Sequence, residues 1–224
     1  MVKTIIVFSP HNDDLEIGMG GTTLKYIKEG YKVIKIVLSK GQLSNPHLRS
    51  KIVMQRREKE ALKVSKKFKF TTIFCRLNDQ NLNEELPAIR SRLLFLLNKE
   101  KPEKIFLPTG LDLHPDHRAA FNFLMDLVKD INAEIYCYEV WSVVDEKHPM
   151  IYVDITNYLS KKLKMMDMFH TEKLSVFLHT IPVLYRAFKY GLKLRKGGNR
   201  NHRQNEGGYR NRRFLLAERF YKIK

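Results

Sequence analysis

Two short stretches carry residue types that could do chemistry together. The first, Ser9-Pro10-His11-Asn12-Asp13-Asp14-Leu15-Glu16-Ile17-Gly18-Met19-Gly20-Gly21, holds a His, two adjacent Asp and a Glu. The second, Pro108-Thr109-Gly110-Leu111-Asp112-Leu113-His114-Pro115-Asp116-His117, holds two His around a Pro-Asp. Alone, the first reads equally well as an Asx-rich turn capping a helix. Two His/Asp clusters in one chain shift the reading toward a shared metal site. A His, an Asp and a His make a three-ligand set for zinc and leave a further position for water. Imidazole with carboxylate suits Zn²⁺, Fe²⁺ or Co²⁺ better than Mg²⁺ or Ca²⁺, which favour all-oxygen shells. Zinc lowers the pKa of its water to about 7. The reaction then needs a base beside that water and a donor facing the developing oxyanion. Carboxylates and imidazoles beyond a minimal ligand set can fill both roles, which is the logic of a hydrolase.

Such residues need a scaffold that brings them together, and the pattern around them supplies one. Thr4-Ile5-Ile6-Val7-Phe8 is an apolar, partly β-branched run that predicts a buried strand, and Ile17, Gly21, Leu24 and Ile27 fall on one helical face after it. Further strands are predicted over Lys32–Leu38, Thr71–Cys75, Lys104–Pro108 and Ile135–Tyr138. Helices are predicted from about Ser50 to Phe68 (inner face Val53, Ala61, Val64, Phe68), around Ile89–Leu97, and over Ala120–Val128. Strands alternating with helices indicate an α/β, Rossmann-like fold, a mainly parallel sheet with helices on both faces. Right-handed crossovers set all its strand carboxyl ends along one edge, where ligands bind. Both His/Asp stretches follow a strand, so both are expected at that edge.

At 224 residues with 43% hydrophobic content, the chain is expected to be a single domain, 1–224, with a substantial core. No apolar run approaches the roughly 20 residues of a membrane span. No signal-peptide pattern appears at the start. Cys75 and Cys137 sit in strand-like runs and read as reduced core residues, so a cytoplasmic protein is expected. The net charge of +17 attracts nucleic acid, anionic lipid or acidic small substrates. Residues 186–213 hold ten basic residues against one acid, Glu206, and the glycine- and asparagine-rich part from about 196 to 213 reads as a loop.

The residues also carry a resemblance. His11-Asn12-Asp13-Asp14 with Gly18, Gly20 and Gly21, followed by His114-Pro115-Asp116-His117, resembles the PIG-L/LmbE zinc-dependent de-N-acetylases. The similarity is to the bacterial branch of N-acetylglucosaminyl-malate and diacetylchitobiose deacetylases. Weaker traces are Arg57 with Glu60-Ala61, Asp79, Asp154-Ile155 and Ala217-Glu218-Arg219-Phe220. The resemblance implies release of acetate from an N-acetylglucosamine-type conjugate. It implies His11, Asp14 and His117 as zinc ligands and Asp13 as general base. His114 would stabilise the tetrahedral intermediate or protonate the leaving amine, with Asp116 orienting it, and Arg57 would bind substrate unless it is a solvated residue of a basic helix. Asn12 stands where the family usually has Pro or Ala. His170-Thr171-Glu172 stands where bacillithiol-type enzymes carry Glu-Ser-Gln.

Two other readings compete. A basic module could hold nucleic acid through 186–213, but its aromatics are sparse (Phe188, Tyr190, Tyr209) and no nucleic-acid motif appears. Gly18-x-Gly20-Gly21 could be a nucleotide turn, but it is not G-x-G-x-x-G, and adjacent aspartates repel phosphate. The expected partner is therefore a small amino-sugar substrate and no specific nucleic acid. The basic segment leaves open an acidic or lipid-linked substrate and contact with an anionic membrane. Apolar residues on more than one side of helices at 161–169 and 173–190 (Phe177, Ile181, Leu184, Phe188) leave open a homo-oligomer.

Overall fold

A computed structural model describes residues 2–44, 49–141, 149–196 and 215–224. Its strands are β1 (Thr4–Ser9), β2 (Lys32–Ser39), β3 (Thr71–Leu77), β4 (Lys104–Pro108), β5 (Glu134–Tyr138), β6 (Met150–Asp154) and β7 (Ala217–Lys222). They form one sheet in the order β3-β2-β1-β4-β5-β7-β6. β3 through β5 run parallel, whereas β7 lies antiparallel to both β5 and β6. The helices are α1 (Asp14–Lys28), α2 (Ser50–Phe68), α3 (Leu82–Glu85), α4 (Arg90–Glu100), α5 (Pro115–Val128), α6 (Leu159–Met166) and α7 (Lys173–Arg195).

Side-chain alternation along β1 explains the two-sided core. Ile5 and Val7 join Leu15, Leu24, Met166 and Phe169 on one face, while Ile6 and Phe8 join Leu93, Leu97, Leu124 and Val128 on the other. A strand buried on both faces reads as a continuous apolar run, which is why β1 was legible. The chain winds outward from β1 through β2 to β3, then crosses back to lay β4 on the opposite side of β1. The order reverses between β1 and β4, and the crevice at their carboxyl ends is the ligand position of such sheets.

Two glycines bring α1 close to its neighbours. A Cβ at Gly18 would stand 2.4 Å from Tyr138 Cδ2, and one at Gly21 would stand 2.8 Å from Ile155 Cβ. The helix kinks at Met19 (φ −142°). The Gly21 and Thr22 amides donate to the Glu218 carboxylate, which also accepts from Lys162. The glycines therefore serve packing, which removes the nucleotide-turn reading.

The structure departs from expectation in four places. β6 and β7 add an antiparallel edge; β7 was hidden because its Glu218 and Arg219 are charged, yet both are buried and paired, with Lys162 and Glu139. α5 begins at Pro115 rather than Ala120, since Pro is preset for the first helical turn and His114 caps it. The helix expected around Ile89 is preceded by α3 and a 3-10 turn, Leu86–Ile89. Val53, Ala61 and Val64 are buried as expected, but Phe68 is only partly covered and Arg57 joins that inner face. The basic loop from 197 onward, and the Phe177 side chain, lie outside what is described.

Candidate metal centre and active site

β1 ends in Ser9 and hands over through His11–Asp13 to α1; β4 ends in Pro108 and hands over through Thr109–His114 to α5. These two turns meet across the crevice. His11 Nδ1 stands 3.2 Å from His117 Nε2, and Asp14 Oδ2 stands 3.4 Å from each of those nitrogens. Tetrahedral ligands about 2.0–2.2 Å from a zinc ion are separated by about 3.3–3.5 Å, so this N, N, O triangle has the size of one face of a zinc tetrahedron. Imidazole with carboxylate is a donor combination that also suits Fe²⁺ or Co²⁺ in general. His11, His114 and His117 form a looser group, with ligand atoms within 4.8 Å of one another.

The supporting contacts fix the imidazoles of the triangle. His117 Nδ1 lies 3.3 Å from Asp112 Oδ2, which leaves Nε2 facing the triangle. Asp112 also accepts from the His114 and Trp141 amides, at 2.9 and 3.2 Å. His11 Nε2 lies 3.3 Å from Asp116 Oδ2, and that carboxylate accepts from the Gln80 amide. Carboxylates on the far nitrogens of metal-binding imidazoles set tautomer and orientation. The Asp116 carboxylate is thus placed on His11 rather than on His114, which instead accepts at Nδ1 from the Asp116 amide at 3.2 Å. A neutral His114 with Nδ1 accepting carries its proton on Nε2 and is a donor there.

Asp13 and Asp14 divide. Asp14 turns to the imidazoles, whereas Asp13 Oδ1 accepts from Arg57 Nη2 at 3.0 Å. Arg57 is only 3% exposed, so the solvated alternative is overturned; its contact is with the Asp13 carboxylate. Glu16 takes no part in the triangle and pairs with buried Lys35 at 2.6 Å. Lys35 also donates to the Asn12 carbonyl, pinning the turn from beneath. Sequence reasoning missed Lys35 and gave Asp112 no role. The signals were a lysine inside the apolar run of β2 and an aspartate two residues before His114. Asp79 accepts from the Gly41 and Leu43 amides and shapes the rim.

The buried carboxylates set the protonation of the imidazoles. Burial works against a charged His11, but Asp14 and Asp116 outweigh it and raise its pKa to about 10. His117 is likewise raised to about 9 against burial, by Asp14 and Asp112. Asp14 is held well below the carboxylate range: burial opposes this, and the two imidazoles overcome it. His114 is lowered by burial and by the neighbouring imidazoles, which keeps it neutral. A cleft of about 160 Å³ opens over the triangle, lined among others by Asp13, Leu43, Arg57, Asp79, His114 and Trp141. Among the described residues, neither His170 nor Thr171 lines it; Thr171 is tied to Glu60.

Comparison with known proteins matches residues 6–128 to the family model described as PIG-L, GlcNAc-PI de-N-acetylase. The diacetylchitobiose deacetylase of Thermococcus kodakarensis is 24% identical, covering 92% of this chain and 82% of that protein. The inhibitor-bound N,N'-diacetylchitobiose deacetylase of Pyrococcus horikoshii superposes with a TM-score of 0.77 at 21% identity, covering 99% of this chain and 84% of the other. The 4-carboxy-2-hydroxymuconate hydratase GalB of Pseudomonas putida KT2440 superposes at 0.78 with 16% identity, covering 100% and 97%. Both structural likenesses bear on the fold alone.

Proposed function

Because the chain belongs to the PIG-L family, we propose that it is a metal-dependent N-deacetylase that releases acetate from a small N-acetylglucosamine-type conjugate. Fold does not select this reaction, since a hydratase shares it. The observation that carries the reading is the triangle of His11, Asp14 and His117 at 3.2–3.4 Å, with a second carboxylate, Asp13, beside it. Those three residues would hold Zn²⁺, with Fe²⁺ or Co²⁺ as substitutes. The chemistry such an ion supplies when bound is polarisation of the acetamide carbonyl and a lowered pKa for water.

The chain's own groups do the rest. Arg57 holds Oδ1 of Asp13, leaving Oδ2 to take a proton from the attacking water as its oxygen adds to the carbonyl carbon. His114, neutral with its proton on Nε2, donates to the oxyanion that forms. The C–N bond then breaks, Asp13 returns the proton to the departing amine, and acetate and a free amino sugar leave. Arg57 acts on the substrate through the Asp13 carboxylate and lines the wall that meets the sugar.

Metal analysis of the purified protein, coupled to an acetate-release screen over N-acetylglucosamine conjugates, tests the reading. About one ion per chain and activity abolished by chelation are expected. Asp13→Asn should keep its metal and lose turnover by about 10²–10⁴-fold. A metal-replete protein that releases no acetate from any N-acetylated amino sugar would overturn the assignment.

A further inference from the structure

α7, 23 residues long, contains five basic residues and no acidic one. Its circumference divides into three sectors. His179, Val183, Ala187 and Tyr190 are buried against the core. Leu178, Ile181, Leu184, Tyr185, Phe188 and Leu192 form an outward arc, each between 39% and 67% exposed. Lys189 and Lys193 border the arc on one side, and Arg195 closes its far end, whereas Arg186 turns inward to a pocket shared with Glu139, Lys162 and Glu218. From Leu178 to Leu192 the arc runs roughly 21 Å. On its inward side the helix meets the cleft wall: the buried His179 ring packs edge-on against Trp141 at 3.7 Å between centroids, and half-exposed Trp141 lines the cleft with Leu43.

Large apolar side chains contiguous on one exposed face mark a surface that something covers. Charge narrows the occupant. A second copy would bring the basic sectors of two +17 chains together. A nucleic acid would pair with the basic sector and leave the leucines and isoleucine in water. An anionic bilayer satisfies both sectors at once, with apolar side chains at the acyl boundary and lysines and arginines among the headgroups. No helix among the described residues is long and apolar enough to cross a membrane, so the mode is lying on it, not spanning it.

We propose that the outer face of α7 docks on an anionic lipid surface. This goes beyond the deacetylase reading and uses none of the residues assigned to its chemistry. The test is co-sedimentation of the full-length, metal-loaded protein with vesicles. Binding is expected to phosphatidylglycerol/phosphatidylcholine vesicles, weakening with salt, and not to phosphatidylcholine alone. Ile181→Asn with Phe188→Asn should weaken binding about 100-fold, and Lys189→Gln with Lys193→Gln roughly 30-fold. Both variants should retain their circular dichroism and their hydrolysis of a water-soluble substrate. Asp13→Asn should bind vesicles like the parent, so a failed deacetylase reading leaves this test standing. Three results would overturn the proposal: no vesicle binding by the parent; unchanged vesicle binding by the Ile181/Phe188 variant, with duplex DNA bound equally well; or a parent oligomer, by sedimentation velocity, that the same variant dissociates.

Discussion

Adjacent aspartates perform different work because they straddle the start of a helix. Asp13 is the residue before α1 and Asp14 its first, so their side chains leave the axis in different directions, one to Arg57 and one to the imidazoles. In the proposed reaction that split would let one carboxylate hold the metal while its neighbour takes the proton. At the same scale Asp112 is a positioning residue. It is buried beneath His117 Nδ1 and anchored by two backbone amides. Asp112→Asn should lower metal affinity about 10–100-fold while leaving the Asp13–Arg57 pair in place. Competition against a chromogenic chelator measures this, and an unchanged affinity would remove Asp112 from the site's support.

Among the elements, α1 matters most, since it carries Asp14 at its start and packs tightly against Tyr138 of β5. Its glycines permit that approach, and Glu218 from β7 satisfies the amides that the Met19 kink frees. Gly18→Ala would place a methyl 2.4 Å from the Tyr138 ring and 2.8 Å from the Glu139 carbonyl. Backbone cannot yield as a flexible side chain can, so a loss of about 1–3 kcal/mol is expected, read as a lower urea midpoint at unchanged slope. An unchanged midpoint would show that α1 can slide without cost.

For the whole molecule, the site couples pH, metal and stability. His11 and His117 are raised from 6.5 to about 10 and about 9 in the folded, metal-free protein. Their contribution is fully present below about 6.5 and is lost as pH rises through 9 to 10. The lowered Asp14, Asp112 and Asp116 contribute above the ordinary carboxylate range and do not change over that interval. The chelated protein should therefore lose thermal stability between pH 6.5 and 9.5. Metal binding, which must displace those protons, should strengthen over the same interval. Calorimetry of chelated and loaded protein separates the two; a metal-free midpoint that does not fall would contradict the raised imidazoles.

The parallel half of the sheet and the two His/Asp turns were legible from local pattern alone. Uninterrupted apolar runs and helical periodicity are local signals, and a strand's carboxyl end follows directly from its position in the chain. The sequence also named the residues of the triangle, through resemblance. What each residue touches emerges only in the folded chain: Asp116 on His11, Arg57 on Asp13, Asp112 under His117, Lys35 under the turn. These contacts join residues from different elements, mostly tens of residues apart in the chain, and charged groups that pair when buried look in sequence like solvated surface. For the same reason β7 was hidden by its own charges, and the outer arc of α7 became exposed only once the core had taken the opposite face of that helix.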